Sequence, residues 1–337
     1  MNDQNSNLLK VIDPRFNEEL YGFNNIEKLF LNILKNEKLL NAYIFYGIKG
    51  VGKATFAFRL ARFILNQEKN SDDSLFISKE NKVFKSIASL SHPDFIFIYG
   101  DSSEKKISTE LLKTIQINAY KTSVESKYKV ILIDSIDDIS TINSSNVLLK
   151  LLEDCPKNCI FLMISHSIFK VSKTIRSRCQ NIYFKPINNK KFKNWFTQSK
   201  IIENKNIDII LSLSNGSLGR AMEIINTKNY FDIYHKVNKF IQNIETIENS
   251  DVEKLFSLYN SNEISVENFL LIIQFHITKV IKILTVKNNQ NNLIHCYLSL
   301  FFKINEIISS FKSFKLDQNQ LLNIIKSILL NHSKNYN

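Results

Sequence analysis

Gly47-Ile48-Lys49-Gly50-Val51-Gly52-Lys53-Ala54-Thr55 is the stretch on which the fold turns. An apolar run, Ala42–Tyr46, leads into it, and a helical pattern, Lys53–Leu65, leaves it. Strand, glycine-rich loop and helix in that order make a phosphate loop. The glycines let backbone N–H groups curl round a phosphate that sits at a positive helix N-terminus. Lys53 reaches the β- and γ-phosphates. Gly47, Gly50, Gly52, Lys53, Ala54 and Thr55 are therefore the predicted nucleotide-binding positions, with ATP or ADP as the ligand. The residue after the lysine breaks the pattern. A hydroxyl there ligates Mg²⁺ in a working phosphate loop, and Ala54 has none. Thr55 is rotated about 100° further round the helix and points elsewhere.

A second acidic motif follows in Lys129-Val130-Ile131-Leu132-Ile133-Asp134-Ser135. An apolar strand ending in Asp134 presents a carboxylate to the metal or its water shell, so Asp134 is the candidate Mg²⁺ ligand. Hydrolytic members of this class follow that Asp with a Glu that activates water; here the next residue is Ser135. Asp137 and Asp138 lie beyond the strand end, where their reach is not set by the pattern. The phosphate-binding parts are kept and the turnover parts are reduced.

Outward from this core, the strand candidates are Ala42–Tyr46, Phe95–Tyr99, Lys129–Asp134, Cys159–Ile164 and a short one at Asn181–Phe184. Helical patterns fall between them at Ile26–Asn36, Lys53–Leu65, Ser108–Asn118 and Ser144–Leu152. The alternation predicts an α/β domain, a parallel sheet covered by helices on both faces. The polar segment Gln67–Asn81 reads as a surface loop. After Pro186 no strand-like run appears, and amphipathic helices succeed one another: Lys190–Ser199, Ile207–Leu213, Arg220–Asn226, Val252–Tyr259, Val266–Leu284, Leu293–Phe314 and Gln318–Asn331. Within them Phe269-Leu270-Leu271-Ile272-Ile273 reads as the inside of a bundle. The expected organisation is a nucleotide-binding domain at 1–186, a small helical lid at 187–243 and an all-α domain at 244–337.

The bulk properties of the 337 residues are those of a soluble globular protein. Uninterrupted apolar runs such as Val130–Ile133 are strand-sized, and Met1–Lys10 has no signal-peptide character, so a cytoplasmic protein with no membrane partner is expected. Four cysteines, Cys155, Cys159, Cys179 and Cys296, make neither a disulfide framework nor a zinc site. The net charge of +12 admits an anionic partner such as DNA, but the excess is spread along the chain and marks no patch.

Further motifs carry a resemblance. They are His92-Pro93-Asp94, Asn146-Val147-Leu148-Leu149-Lys150-Leu151-Leu152-Glu153-Asp154-Cys155-Pro156, Thr174-Ile175-Arg176-Ser177-Arg178-Cys179 and Gly216-Ser217-Leu218-Gly219-Arg220-Ala221. With the phosphate loop they resemble the AAA+ subunits of bacterial DNA polymerase III clamp loaders, the delta-prime type most of all, from Phe23 to Ala221. The resemblance implies a P-loop AAA+ domain, a helical lid and a C-terminal collar that joins subunits. It implies that Arg178 is an arginine finger offered in trans, that Ser165 is the polar sensor 1 and that Arg220 is sensor 2. Gamma/tau and delta subunits, the sliding clamp and primed DNA are the implied partners. Arg176 reads instead as a surface salt-bridge residue, His166 as a polar loop residue and Cys179 as a packing residue. The four-cysteine zinc module that many such subunits carry has no counterpart in residues 66–91, so no zinc is expected. Two functions remain open at this point: an architectural subunit with weak or absent ATPase, favoured by Ala54 and Ser135, or an ATP-hydrolysing motor of the gamma/tau kind, kept alive by Gly47, Gly52, Lys53 and Asp134.

Overall fold

The computed structural model describes residues 13–68, 73–99, 107–139, 141–199, 204–227, 229–243, 249–260, 264–287, 291–314 and 317–334. The Met1–Lys10 segment of the signal-peptide reading and residues 69–72 of the Gln67–Asn81 segment lie outside them. The chain divides into two compact units, one made of Lys10–Ser199 with Ser214–Arg220, the other of Lys200–Leu213 with Ala221–Asn337.

The first unit is built as α1 (Asn24–Lys35), β1 (Ala42–Tyr46), α2 (Lys53–Leu65), α3 (Lys82–Ala88), β2 (Phe95–Tyr99), α4 (Thr109–Ala119), β3 (Lys129–Asp134), α5 (Ile142–Glu153), β4 (Cys159–Ser165), α6 (Lys173–Ser177), β5 (Gln180–Tyr183) and α7 (Asn189–Ser199). The five strands form one parallel sheet in the order β2-β3-β4-β1-β5. Both faces are buried because both carry apolar side chains, as a parallel sheet requires. In β1, Tyr43 and Phe45 enter one cluster and Ala42 and Ile44 the other. In β4, Ile160, Leu162 and Ile164 oppose Phe161 and Met163 in the same way. On the first face, the rings of Phe30, Tyr43, Phe56 and Phe184 lie with centroids 5.0 to 5.8 Å from one another or from Phe45. Each such buried side chain contributes roughly 1.5–3 kcal/mol, so this aromatic cluster is a principal source of the sheet's stability.

The strands expected from periodicity all form, with β4 one residue longer and β5 shifted one residue towards the N-terminus. Ser108 caps α4, its hydroxyl accepting from the Leu111 N–H at 3.2 Å. The described part of Gln67–Asn81 is irregular and mostly exposed, as a surface loop is, but it is anchored at two points. Leu75 and Ile77 are buried, and the Leu75 N–H donates to Glu27 at 2.9 Å. Two arginines of α2 hold it and the chain before α1. Arg59 pairs with Glu27 at 2.9 Å, and the Arg62 guanidinium lies 3.7 Å above the Phe84 ring while donating to Asn17 O. Apolar periodicity alone does not show such buried cations; α3 and α6 were also not expected.

His92-Pro93-Asp94 acts as a staple. The buried Asp94 carboxylate accepts from the N–H groups of Val124, Glu125 and Ser126 at 2.7, 2.8 and 2.8 Å. Lys129, buried at the start of β3, donates to Asn118 O and Lys121 O and so caps the C-terminal end of α4.

The second unit is helical: most of α8 (Asn204–Ser214) and α9 (Leu218–Asn226), then α10 (Tyr230–Gln242), α11 (Asn249–Asn260), α12 (Val266–Lys287), α13 (Asn291–Phe314) and α14 (Gln318–Lys334). Helix α10 was not expected, although Tyr230, Ile233, Tyr234, Val237, Phe240 and Ile241 are buried at helical spacing. Within this unit α12 packs against α10 and α13. Val266–Val286 is long and apolar enough to cross a membrane by length and composition. Phe269, Leu270, Ile272, Ile273 and Ile277 of this helix are buried in the unit.

Candidate nucleotide site

The phosphate loop leaves the C-terminal end of β1, and its first N–H, that of Gly47, donates to Ser165 O at 3.3 Å. Gly50 has φ +75°, and a Cβ there would lie 2.7 Å from Ser217 Oγ. A side chain at Gly47, φ +150°, would meet Phe184 O at 2.5 Å. Both positions therefore need glycine. Gly52 is the left-handed residue from which α2 starts at Lys53.

Lys53 is buried, and its ammonium donates to Gly47 O at 2.6 Å and Ile48 O at 2.8 Å. Burial pushes it down to about 8, and the carboxylates of Asp134 and Asp137 act in the opposite direction. The next two carbonyls of the loop are also taken. Ser217 Oγ donates to Lys49 O, and the Gly219 N–H donates to Gly50 O, each at 2.8 Å. These two donors belong to the turn that opens α9, so they bring Arg220, whose own N–H donates to Ser217 Oγ, to the edge of the loop.

Ala54 packs against the apolar cluster on the α2 face, and Thr55 is half-buried one step further round the helix. Asp134 is half-buried at the end of β3, and Ser135 is buried where a carboxylate would stand. Ser165 ends β4, and its hydroxyl donates to Asp137 Oδ1 at 2.8 Å. The other carboxylate oxygen of Asp137 accepts from the His166 N–H. Asp137 is thus the residue that sequence reasoning left unplaced; it lies past the strand in a short 3-10 turn, Ile136–Asp138, where no period carries it. The side chain of Asp138 lies outside those described.

His166 is exposed overall, yet desolvation of its ring, with Lys53, Lys49 and Lys170 around it, pushes it down to about 4 against the pull of Asp137. It is neutral at pH 7. Burial pushes the Cys179 thiol up to about 12, so it stays protonated and packs.

The donors fit Mg²⁺ poorly. Both oxygens of Asp137 are engaged, Ala54 supplies no oxygen, and among the described residues no group of three His, Cys, Asp or Glu converges. Any Mg²⁺ arriving with a nucleotide would hold the phosphates and water, with Asp134 the carboxylate at hand.

The two arginines of the Thr174–Cys179 motif exchange the roles expected for them in one respect. Arg178, exposed at the end of α6, is the one in a surface ion pair, Nε and Nη2 donating to Glu153 Oε1 at 3.1 and 2.8 Å. Arg176 makes no ion pair among the described residues, and its Nε is buried without an acceptor. The spacing explains the exchange: two residues along a helix turn a side chain by about 200°, so one arginine faces inward when the other faces out.

A phosphate loop on the fourth strand of a β2-β3-β4-β1-β5 parallel sheet, with a polar residue ending the adjacent strand and an arginine opening a following helix, defines a P-loop protein of the AAA+ class. The family model described as DNA polymerase III, delta subunit matches residues 22–188. The DNA polymerase III subunit gamma/tau of Mycoplasma genitalium is 29% identical over 252 residues, covering 73% of this chain and 39% of that protein. The delta-prime subunit of Bacillus subtilis is 26% identical over 217 residues, covering 64% of this chain and 63% of that one. The chain thus spans less than two thirds of the length of either relative. Among solved structures, a gamma subunit-related protein of Thermotoga maritima aligns over 91% of this chain and 99% of its own at 14% identity, with a TM-score of 0.49. Over residues 22–188 the chain belongs to the clamp-loader family of DNA polymerase III, and its relatives there are subunits of the gamma/tau and delta-prime kinds.

Proposed function

We propose that this chain is the delta-prime-type subunit of a cytoplasmic clamp loader: an architectural member of the ring that binds ATP or ADP weakly or statically and does not turn it over. The observation that carries this reading is the pair of missing groups. Ala54 packs into the apolar cluster where a metal-binding hydroxyl belongs, and buried Ser135 stands where a water-activating carboxylate belongs. Without them neither Mg²⁺ nor the attacking water is positioned, and positioning with charge stabilisation is nearly all the catalysis that phosphoryl transfer has.

The chain's chemical contribution is then Arg178, presented in trans to the nucleotide of a neighbouring subunit, where a guanidinium stabilises charge growing on the γ-phosphate. Before assembly Glu153 holds that guanidinium in an exposed pair, which costs little to break. Residues 187–243 serve as the lid and 244–337 as the collar that binds gamma/tau-type and delta-type subunits. The assembled ring opens the sliding clamp and loads it on primed DNA. The test is ATP turnover by the purified chain, alone and with primed DNA: rates at background support the proposal, and brisk DNA-stimulated hydrolysis overturns it.

A motor of the gamma/tau type is the second reading. Lys53 and Asp134 are in place, and the Mycoplasma genitalium gamma/tau subunit aligns over 73% of the chain. The same turnover measurement decides between them.

A further inference from the structure

A cleft of about 440 Å³ opens on the first unit between Tyr46, Ile168, Lys173, Arg176, Ser177 and Asn181. Its hydrogen-bonding groups are unevenly committed. Ser177 Oγ already donates to Thr174 O at 2.9 Å, and Asn181 Nδ2 donates to Arg176 O and Cys179 O at 3.2 and 3.3 Å. Arg176 and Lys173 are different: among the described residues neither is in an ion pair, and the buried Nε of Arg176 has no acceptor. A buried donor left unmade is expensive, and the exposed Lys173, three residues earlier on the same helix, adds a second positive charge at the cleft. The remaining wall is apolar and flat. Ile168 lines it, and Tyr46 lies against Tyr183 with ring centroids 5.1 Å apart and planes 30° apart.

We propose that this cleft is a second anion site, separate from the phosphate loop, and that it takes the phosphate of a nucleotide or of a nucleic-acid strand. The forked donors of Arg176 meet two phosphate oxygens, and Lys173, exposed at the mouth, meets a third. Tyr46 and Ile168 receive the sugar or base. A tetrahedral phosphate has oxygens enough for both cations, whereas a carboxylate satisfies Arg176 alone and leaves Lys173 and the flat wall unused. The volume is within the range of clefts that hold small organic ligands. The proposal does not rest on the delta-prime reading, because none of these residues belongs to the phosphate loop or to the finger.

The experiment follows the Arg176 Nε–H resonance of the full chain by nitrogen-15 NMR during titration with deoxyadenosine monophosphate, with a short oligothymidylate and with a glutamate-rich peptide. Saturable movement of that resonance by either phosphate-bearing probe, lost in Arg176→Gln, is the expected result. Lys173→Gln, an exposed change that leaves the fold intact, weakens the binding about fivefold, the loss of one exposed charge contact. It keeps the test open should Arg176→Gln not fold. Equal affinity for the two phosphate probes assigns the site to free nucleotides, and a strong preference for the oligomer assigns it to a strand. A resonance unmoved by both at millimolar concentration, binding undiminished in Lys173→Gln, or preference for the acidic peptide overturns the proposal.

Discussion

The Ser165 hydroxyl donates to Asp137 at 2.8 Å, and the same carboxylate accepts the backbone N–H of His166, so one acidic side chain fixes the end of β4 where it borders the phosphate loop. The Gly47 N–H donates to Ser165 O, which carries that restraint into the loop itself. Asp137→Ala removes both acceptors and is expected to lower stability by about 2 kcal/mol, with Asp137→Asn intermediate because one oxygen survives. Urea denaturation midpoints of the three proteins check the order; equal midpoints would show that the contacts are dispensable.

Lys53 gives a pH dependence. Burial lowers it to about 8 in the free protein, and an arriving phosphate favours its charged form, raising it. Nucleotide affinity is therefore expected to be flat below pH 8 and to fall as the pH rises through that value. Binding at pH 8 to 9 should take up a proton. Calorimetry in buffers of different ionisation enthalpy measures the uptake, and release of a proton would contradict the assignment.

Arg178 and Glu153 are exposed and their pair is worth less than about 1 kcal/mol. Arg178→Ala should leave the melting temperature unchanged while slowing hydrolysis at the neighbouring site of an assembled complex, by about a thousandfold if the guanidinium acts on the γ-phosphate. A complex that hydrolyses ATP normally with this change removes the finger from the proposal.

Asp94 supplies three acceptor contacts to the N–H groups of Val124, Glu125 and Ser126 from a fully buried position. Asp94→Ala strands all three donors, and a loss of about 3 kcal/mol or more is expected. Thermal unfolding reads it directly. A drop of under about 1 kcal/mol would mean that water replaces the carboxylate.

The four longer strands were legible because each carries apolar side chains on both faces between polar turns, as in Val130–Ile133, whereas in β5 only Ile182 is buried. The loop from Gly47 to Lys53 was legible because its glycines leave few alternatives. What escaped was held by contacts with no period. Asp137 acts from a turn, Leu75 sinks into the core from a polar segment, and the buried arginines of α2 donate to the carbonyls of Glu18 and Asn17, far away in sequence. Arg176 and Arg178 are alike in composition and two residues apart; only the turn of α6 tells which one meets Glu153. The boundaries at 186 and 243 belong to the proposal for the whole assembly.

In the phosphate loop, the carbonyls of Gly47, Ile48, Lys49 and Gly50 each already have a donor from within the same unit. With its carbonyls tied back in this way, the loop is left to meet a phosphate through its N–H groups. A nucleotide must first prise the lysine away from two oxygens. On the proposed architectural reading, such a loop suits a fixed post against which moving parts swing.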